Sequence, residues 1–65
     1  MMSKIHEAAK RGDTEEVRRL LDGGLFRRGA DVNARNQDDV TPLHFAAQRG
    51  HAETADLLRE HGGVE

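Results

Sequence analysis

Two ten-residue stretches 38 residues apart carry the same punctuation, and this repeat limits what the chain can fold into. In the second, Thr41-Pro42-Leu43-His44-Phe45-Ala46-Ala47-Gln48-Arg49-Gly50, Thr41 is an N-cap whose hydroxyl can accept a free backbone N–H, and Pro42 suits the position after it. His44 falls three residues past the cap, so its ring can reach back toward the Thr41 backbone as the Glu of a capping box does. Gly50 stops the helix, because glycine takes the left-handed conformation of a C′ residue without penalty. Only about two turns fit between these signals, and so short a helix must lie against something else. The first stretch, Ser3-Lys4-Ile5-His6-Glu7-Ala8-Ala9-Lys10-Arg11-Gly12, matches it cap for cap and glycine for glycine. Ile5 stands against Leu43, His6 against His44 and Ala8-Ala9 against Ala46-Ala47. The match continues through Glu15 and Glu53, Val17 and Ala55, Leu20 and Leu58, Gly24 and Gly62.

Thr41-Pro42-Leu43-His44-Phe45-Ala46 resembles the ankyrin signature, and Gly29-Ala30-Asp31-Val32-Asn33-Ala34 resembles the hairpin segment that precedes it. The resemblance covers nearly the whole chain. A typical ankyrin period is about 33 residues, so the longer offset here implies an insertion of roughly five, held in Gly24-Leu25-Phe26-Arg27-Arg28-Gly29. The implied fold is all-α: an ankyrin-repeat α-solenoid fragment of two helix-turn-helix repeats linked by a β-hairpin-like loop. As a single ankyrin domain over 1–65, it divides into an N-terminal capping repeat (1–29, insertion 25–29), a hairpin finger (30–41) and a C-terminal capping repeat (42–65).

The residues fill this outline in order. A first helix is expected from Ser3 to Arg11, with Ile5, Ala8 and Ala9 as its apolar stripe. Asp13-Thr14-Glu15-Glu16 is a capping box that opens a second helix from Thr14 to Asp22, buried along Val17, Leu20 and Leu21. Glu16 and Arg19 carry charge where the family usually has apolar residues, so the first repeat reads as a cap. Gly23-Gly24 favours a loop over a continuing helix. Leu25 and Phe26 are large apolar residues where a plain linker would be polar. They are expected to fold back over the lower edge of the core; the alternative is an exposed contact for a partner or a second copy. In the finger, Asn33, Asn36, Asp38 and Asp39 supply turn chemistry, with Asp39 where the family places a positive-φ glycine.

The last helix is expected from Ala52 to His61, anchored by Leu57 and Leu58. Thr54, Ala55 and Arg59 stand where the family presents large aliphatic residues to a following repeat, so this outer face reads as largely polar and the second repeat as a cap too. The expected buried set is Ile5, Ala8, Ala9, Val17, Leu20, Leu21, Val32, Leu43, Phe45, Ala46, Ala47, Leu57 and Leu58.

Chemistry beyond binding finds little support. The chain has no cysteine, which removes disulfides and thiolate metal sites and fits a reducing intracellular compartment. No apolar run reaches the length of a membrane span or a signal-peptide core. The four histidines, His6, His44, His51 and His61, have structural uses at helix ends, His51 sitting where the second repeat's cap belongs. Arg11-Gly12-Asp13 resembles an integrin-recognition tripeptide, but a helix stop followed by a helix cap accounts for it. Asp38-Asp39 diverge in a turn and make a poor catalytic pair. Neither a phosphate loop nor a nucleophile elbow is present. Net charge is −2, against general nucleic-acid or membrane binding, yet it is uneven. Residues 10–35 hold seven basic and five acidic side chains, residues 36–65 two and six.

The expectation is a non-catalytic, cytoplasmic protein-binding module without cofactor or metal. The ankyrin resemblance implies contacts through Arg35, Gln37, Asp38 and Val40 on the finger, and Gln48, Arg49, Lys10 and Arg11 on the inner helices. The alternative is a self-assembling, designed or minimised ankyrin scaffold without its own hetero-partner, using Leu25 and Phe26 and the opposed charges of its halves. Replacing Leu25 and Phe26 together by serine separates the two roles of the insertion. Sedimentation with circular dichroism should show lost helix content if they cover the core, and a lost dimer with helix content intact if they join copies.

Overall fold

The helices form where the caps stand. The computed structural model describes residues 4–23 and 31–64, so Ser3 and the Leu25-Phe26 insertion lie outside the described residues. Helix α1 (Lys4–Arg11) is followed by α2 (Thr14–Asp22), whose first turn is closed by the Asp13 carboxylate accepting the Glu16 backbone N–H at 3.2 Å. Thr41, in extended conformation, accepts the His44 backbone N–H at 3.3 Å and opens α3 (Pro42–Gln48). His44 therefore meets the cap through its backbone, and its side chain is exposed instead of reaching back. His51 occupies the N-cap position of α4 (Ala52–Glu60) but makes no side-chain cap bond. Its ring is used elsewhere.

Three helix ends share one closure. Gly12 N–H donates to the Ala9 carbonyl at 3.1 Å and Asp13 N–H to Ala8 at 3.0 Å, and Gly50 with His51 repeats this pair on Ala47 and Ala46. Gly62 and Gly63 repeat it on Arg59 and Leu58. This is the Schellman pairing, which satisfies carbonyls that a helix end leaves open.

Helices α1 and α2 pack as one pair and α3 and α4 as another, and the pairs stack with α1 on α3 and α2 on α4. Their shared core is Ile5, Ala8, Ala9, Val17, Leu43, Ala46, Ala55, Leu57 and Leu58, with Leu20, Leu21, Val32 and Phe45 partly buried against it. Alanine at positions 8, 9 and 46 puts no bulk between α1 and α3, so the short helices approach closely. Among the described residues there is no strand. The finger is instead two tight turns, around Val32-Asn33 and Gln37-Asp38. No helix of the described residues is long and apolar enough to cross a membrane.

Two expectations about burial are corrected. Ala47 is exposed although its counterpart Ala9 is fully buried: α1 has the second pair stacked on it, and no described third pair stacks on α3 in the same way. Thr54 and Ala55 are buried and do not form an exposed outer face, at 1% and 3% exposure. The Thr54 hydroxyl meets the Thr14 hydroxyl of α2 at 2.7 Å, and a threonine paired in this way can be buried without loss.

Gly12 has φ +73, and a Cβ there would lie 2.5 Å from Nδ1 of His51. Gly50, its counterpart, has φ +76 with open space around it. Gly50→Ala should therefore lose only the backbone term, roughly 1 kcal/mol. Gly12→Ala should lose about 2 kcal/mol or more, because the His51 ring must also move. Thermal melts of the two variants, read by circular dichroism, should rank them in that order; equal melting temperatures would mean the ring moves at no expense.

Candidate functional site

The tip of the finger is built by one side chain. Oδ1 of Asn36 accepts the backbone N–H groups of Asp38 at 2.9 Å and Val40 at 3.0 Å, while Asn36 N–H donates to the Val40 carbonyl at 3.2 Å and Asp39 N–H to the Asn36 carbonyl at 2.9 Å. The turn forces Asp39 to φ +64, the conformation expected from its place in the sequence. Arg35 lies over this turn, 3.4 Å from both the backbone oxygen and Oδ1 of Asp39. Gln37 and Asp38 are exposed at the tip and Val40 is half-buried.

The base of the finger is tied to both repeats. Buried His6 donates through Nε2 to the Val40 carbonyl at 2.7 Å and meets the Phe45 ring edge-to-face at 5.9 Å between centroids. That bond fixes the tautomer with the proton on Nε2. At the other foot, Asn33 donates from Nδ2 to the Gly62 carbonyl at 3.1 Å and accepts Val64 N–H at 2.9 Å. The Thr41 hydroxyl completes the clamp, donating to the Val64 carbonyl at 2.6 Å.

The second surface lies where α1 and α3 end side by side. Lys10, Gln48, Arg49 and His51 line a hollow of about 600 Å³, and Glu7, Lys10, Arg11 and Arg49 line another of about 500 Å³. Of the eight binding residues expected from sequence, Lys10, Arg11, Gln48 and Arg49 are thus brought together, whereas Arg35, Gln37, Asp38 and Val40 line neither hollow. Two participants were missed. Glu7 reads as a solvated helix residue, and His51 reads as a cap. His51 instead donates from Nε2 to the Lys10 carbonyl at 3.2 Å, tying α4's start to α1's end. The signal in the sequence was its position opposite Gly12, where only a residue without Cβ admits the ring.

Among the described residues, no group of three or more His, Asp or Glu side chains is placed to hold a metal ion. His6 and His51 are engaged by carbonyls as above, and His61 donates from Nδ1 to the Leu57 carbonyl at 3.0 Å. What the surface can do chemically is to present cations and amide groups, already in position, to a partner.

A family model described as ankyrin repeats (many copies) matches residues 5–59. Acyl-CoA-binding domain-containing protein 1 of Arabidopsis thaliana is 37% identical over 54 residues, 83% of this chain and 14% of that protein. Palmitoyltransferase AKR1 of Candida glabrata is 38% identical over 62 residues, 95% of this chain and 8% of that protein. The chain thus spans less than a sixth of the length of either relative.

A left-handed conformation costs a non-glycine residue roughly 1 kcal/mol, somewhat less for Asp than for most. The Arg35–Asp39 ion pair that a substitution would remove is exposed and contributes little. Asp39→Gly should raise the melting temperature by a few degrees, and an unchanged or lower value would show that the turn is not strained.

Proposed function

The chain belongs to the ankyrin-repeat family, and from that premise we propose that it is a non-catalytic protein-binding module that engages another protein through the finger and the inner helices. Ankyrin repeats generally mediate protein–protein interaction. The observation that supports this use here is the convergence of Lys10, Arg11, Gln48 and Arg49 on two hollows that share Lys10 and Arg49, with no acid but Glu7 lining them. A surface fixed beforehand loses little conformational entropy when a partner docks. The proposal carries over neither of the activities in the two relatives' names, and it keeps the cytoplasmic location suggested by a cysteine-free sequence.

A second reading, association between copies, is favoured by one observation. Ala47, Gly50, Ala52 and Ala55, with His51, Asp56 and Arg59 beside them, line a hollow of about 240 Å³ on the second repeat. Self-association through this side would show as a concentration-dependent mass in sedimentation.

Peptides selected from a random display library against the full chain provide the test of the first reading. Alanine at Arg35, Val40 and Arg49 together should weaken the selected binders about tenfold or more, equal to about 1.4 kcal/mol. Circular dichroism checks that the variant stays folded, and the pair Arg35→Ala with Arg49→Ala serves if the change at Val40 disturbs the finger. Affinity left untouched in the folded variants would refute the assigned surface.

A further inference from the structure

We propose that the groove at the joined ends of α1 and α3 takes an acidic peptide segment, whose carboxylates are met by Lys10, Arg11 and Arg49. This rests on the protein-binding reading above and names the chemistry of the partner. Its first support is how the cations are distributed. Arg19, Arg35 and Arg59 are each held by an acid of their own element: Glu16 at 3.0 Å, Asp39 at 3.4 Å and Asp56 at 3.3 Å. Lys10, Arg11 and Arg49 make no ion pair with any described residue, and they are the cations that line the two adjoining hollows. Lys4 and Arg18 line neither hollow.

The second support removes the structural alternative. Cations in a last helical turn commonly serve the open carbonyls there. In α1 three of the last four carbonyls have backbone or ring partners: Ala8 from Asp13, Ala9 from Gly12, Lys10 from His51. In α3 the same holds for three of the last four: Phe45 is met by Arg49 N–H, Ala46 by His51 and Ala47 by Gly50. The side chains of Lys10, Arg11 and Arg49 are not needed as caps. They stand over helix ends already largely closed, with Glu7 as the single acid lining the hollows, an excess of positive charge in a chain whose net charge is −2. Guanidinium groups match carboxylates with two parallel hydrogen bonds, and Lys10 adds a point charge where the hollows meet, since Lys10 and Arg49 line both. The partner is an acidic peptide and not a long polyanion, because residues 36–65, with six acids to two bases, would repel an extended phosphate chain.

The probe is a fluorescein-labelled twelve-residue peptide of alternating Glu and Ser, titrated into the full chain at low and high salt while amide shifts are followed by NMR. Binding should shift residues of the last turns of α1 and α3. It should weaken about tenfold or more as salt rises from 50 to 300 mM, and by a similar factor in Lys10→Gln with Arg49→Gln at unchanged helix content. The lysine analogue of the peptide should not bind. Equal affinity in the Gln variant, or shifts confined to the finger, would overturn the proposal. So would a single-stranded oligonucleotide of equal charge binding as tightly, or a wild-type dimer that the Gln variant abolishes, since the occupant would then be a polyanion or a second copy. If the peptide fails while library-selected binders still depend on Arg35, Val40 and Arg49, only the acidic chemistry falls. If those binders are indifferent to all three, the binding surface assigned above falls, and the acidic-peptide proposal with it.

Discussion

Everything in this chain depends on the interface where one helix pair stacks on the other. A repeat protein draws its stability from such interfaces, and arrays normally have several. The described residues have one, so the bonds that cross it carry unusual weight. Among the described residues three side-chain bonds do so: Thr14 to Thr54, His6 to Val40 and His51 to Lys10, between residues 40, 34 and 41 positions apart. Apolar contact between alanines is tolerant of sliding. These hydrogen bonds are not, because a shift of one turn would break all three, and each polar group left buried and unpaired costs about 1–3 kcal/mol. Hydrophobic burial holds the pairs together, and the polar ties set their register.

The ties also decide what the surface can do. His6, in the first turn of α1, holds the base of the finger through Val40, and His51 meets the Lys10 carbonyl in the last turn of the same helix beside the groove. Finger and groove are therefore fastened to opposite ends of α1. A partner that touches both meets a spacing fixed by a helix of eight residues, not by a loop. The finger is stiff in its own right, since Asn36 spans its turn with two side-chain bonds. Rigidity of this kind favours recognition by charge and shape over adaptation.

Much of the fold was legible because it is written in local chemistry. Asp13, Thr41 and the glycines at 12 and 50 state where helices start and stop, and α2 has the bounds that its caps imply. Asp39 declared its positive φ through its place in the finger. What could not be read was which neighbour a residue meets. Ala47 repeats Ala9 in sequence, but a repeat copies a residue without copying the helix that covers it. Thr54 looked outward because threonine is ambivalent, and only the facing hydroxyl of Thr14 lets it sit inside. The groove was half legible. Four of its residues follow from the ankyrin resemblance, but no pattern distinguishes Arg49, which has no acidic partner among the described residues, from Arg59, which is held by Asp56.

The places where the two repeats differ carry more meaning than the places where they agree. Asp13 and His51 occupy the same position, yet Asp13 caps its helix and His51 does not. Giving up a side-chain cap costs about 1 kcal/mol, and the His51 ring offsets this by satisfying the Lys10 carbonyl across the interface. An aspartate at position 51 could have kept the cap. Its carboxylate would then have stood in the hollow beside Lys10 and Arg49, cancelling part of their charge and presenting an acceptor where the carbonyl needs a donor. The histidine resolves both conflicts: it donates to the carbonyl and adds no negative charge to the groove. One departure from the repeat pattern thus both locks the second helix pair onto the first and keeps the surface between them cationic.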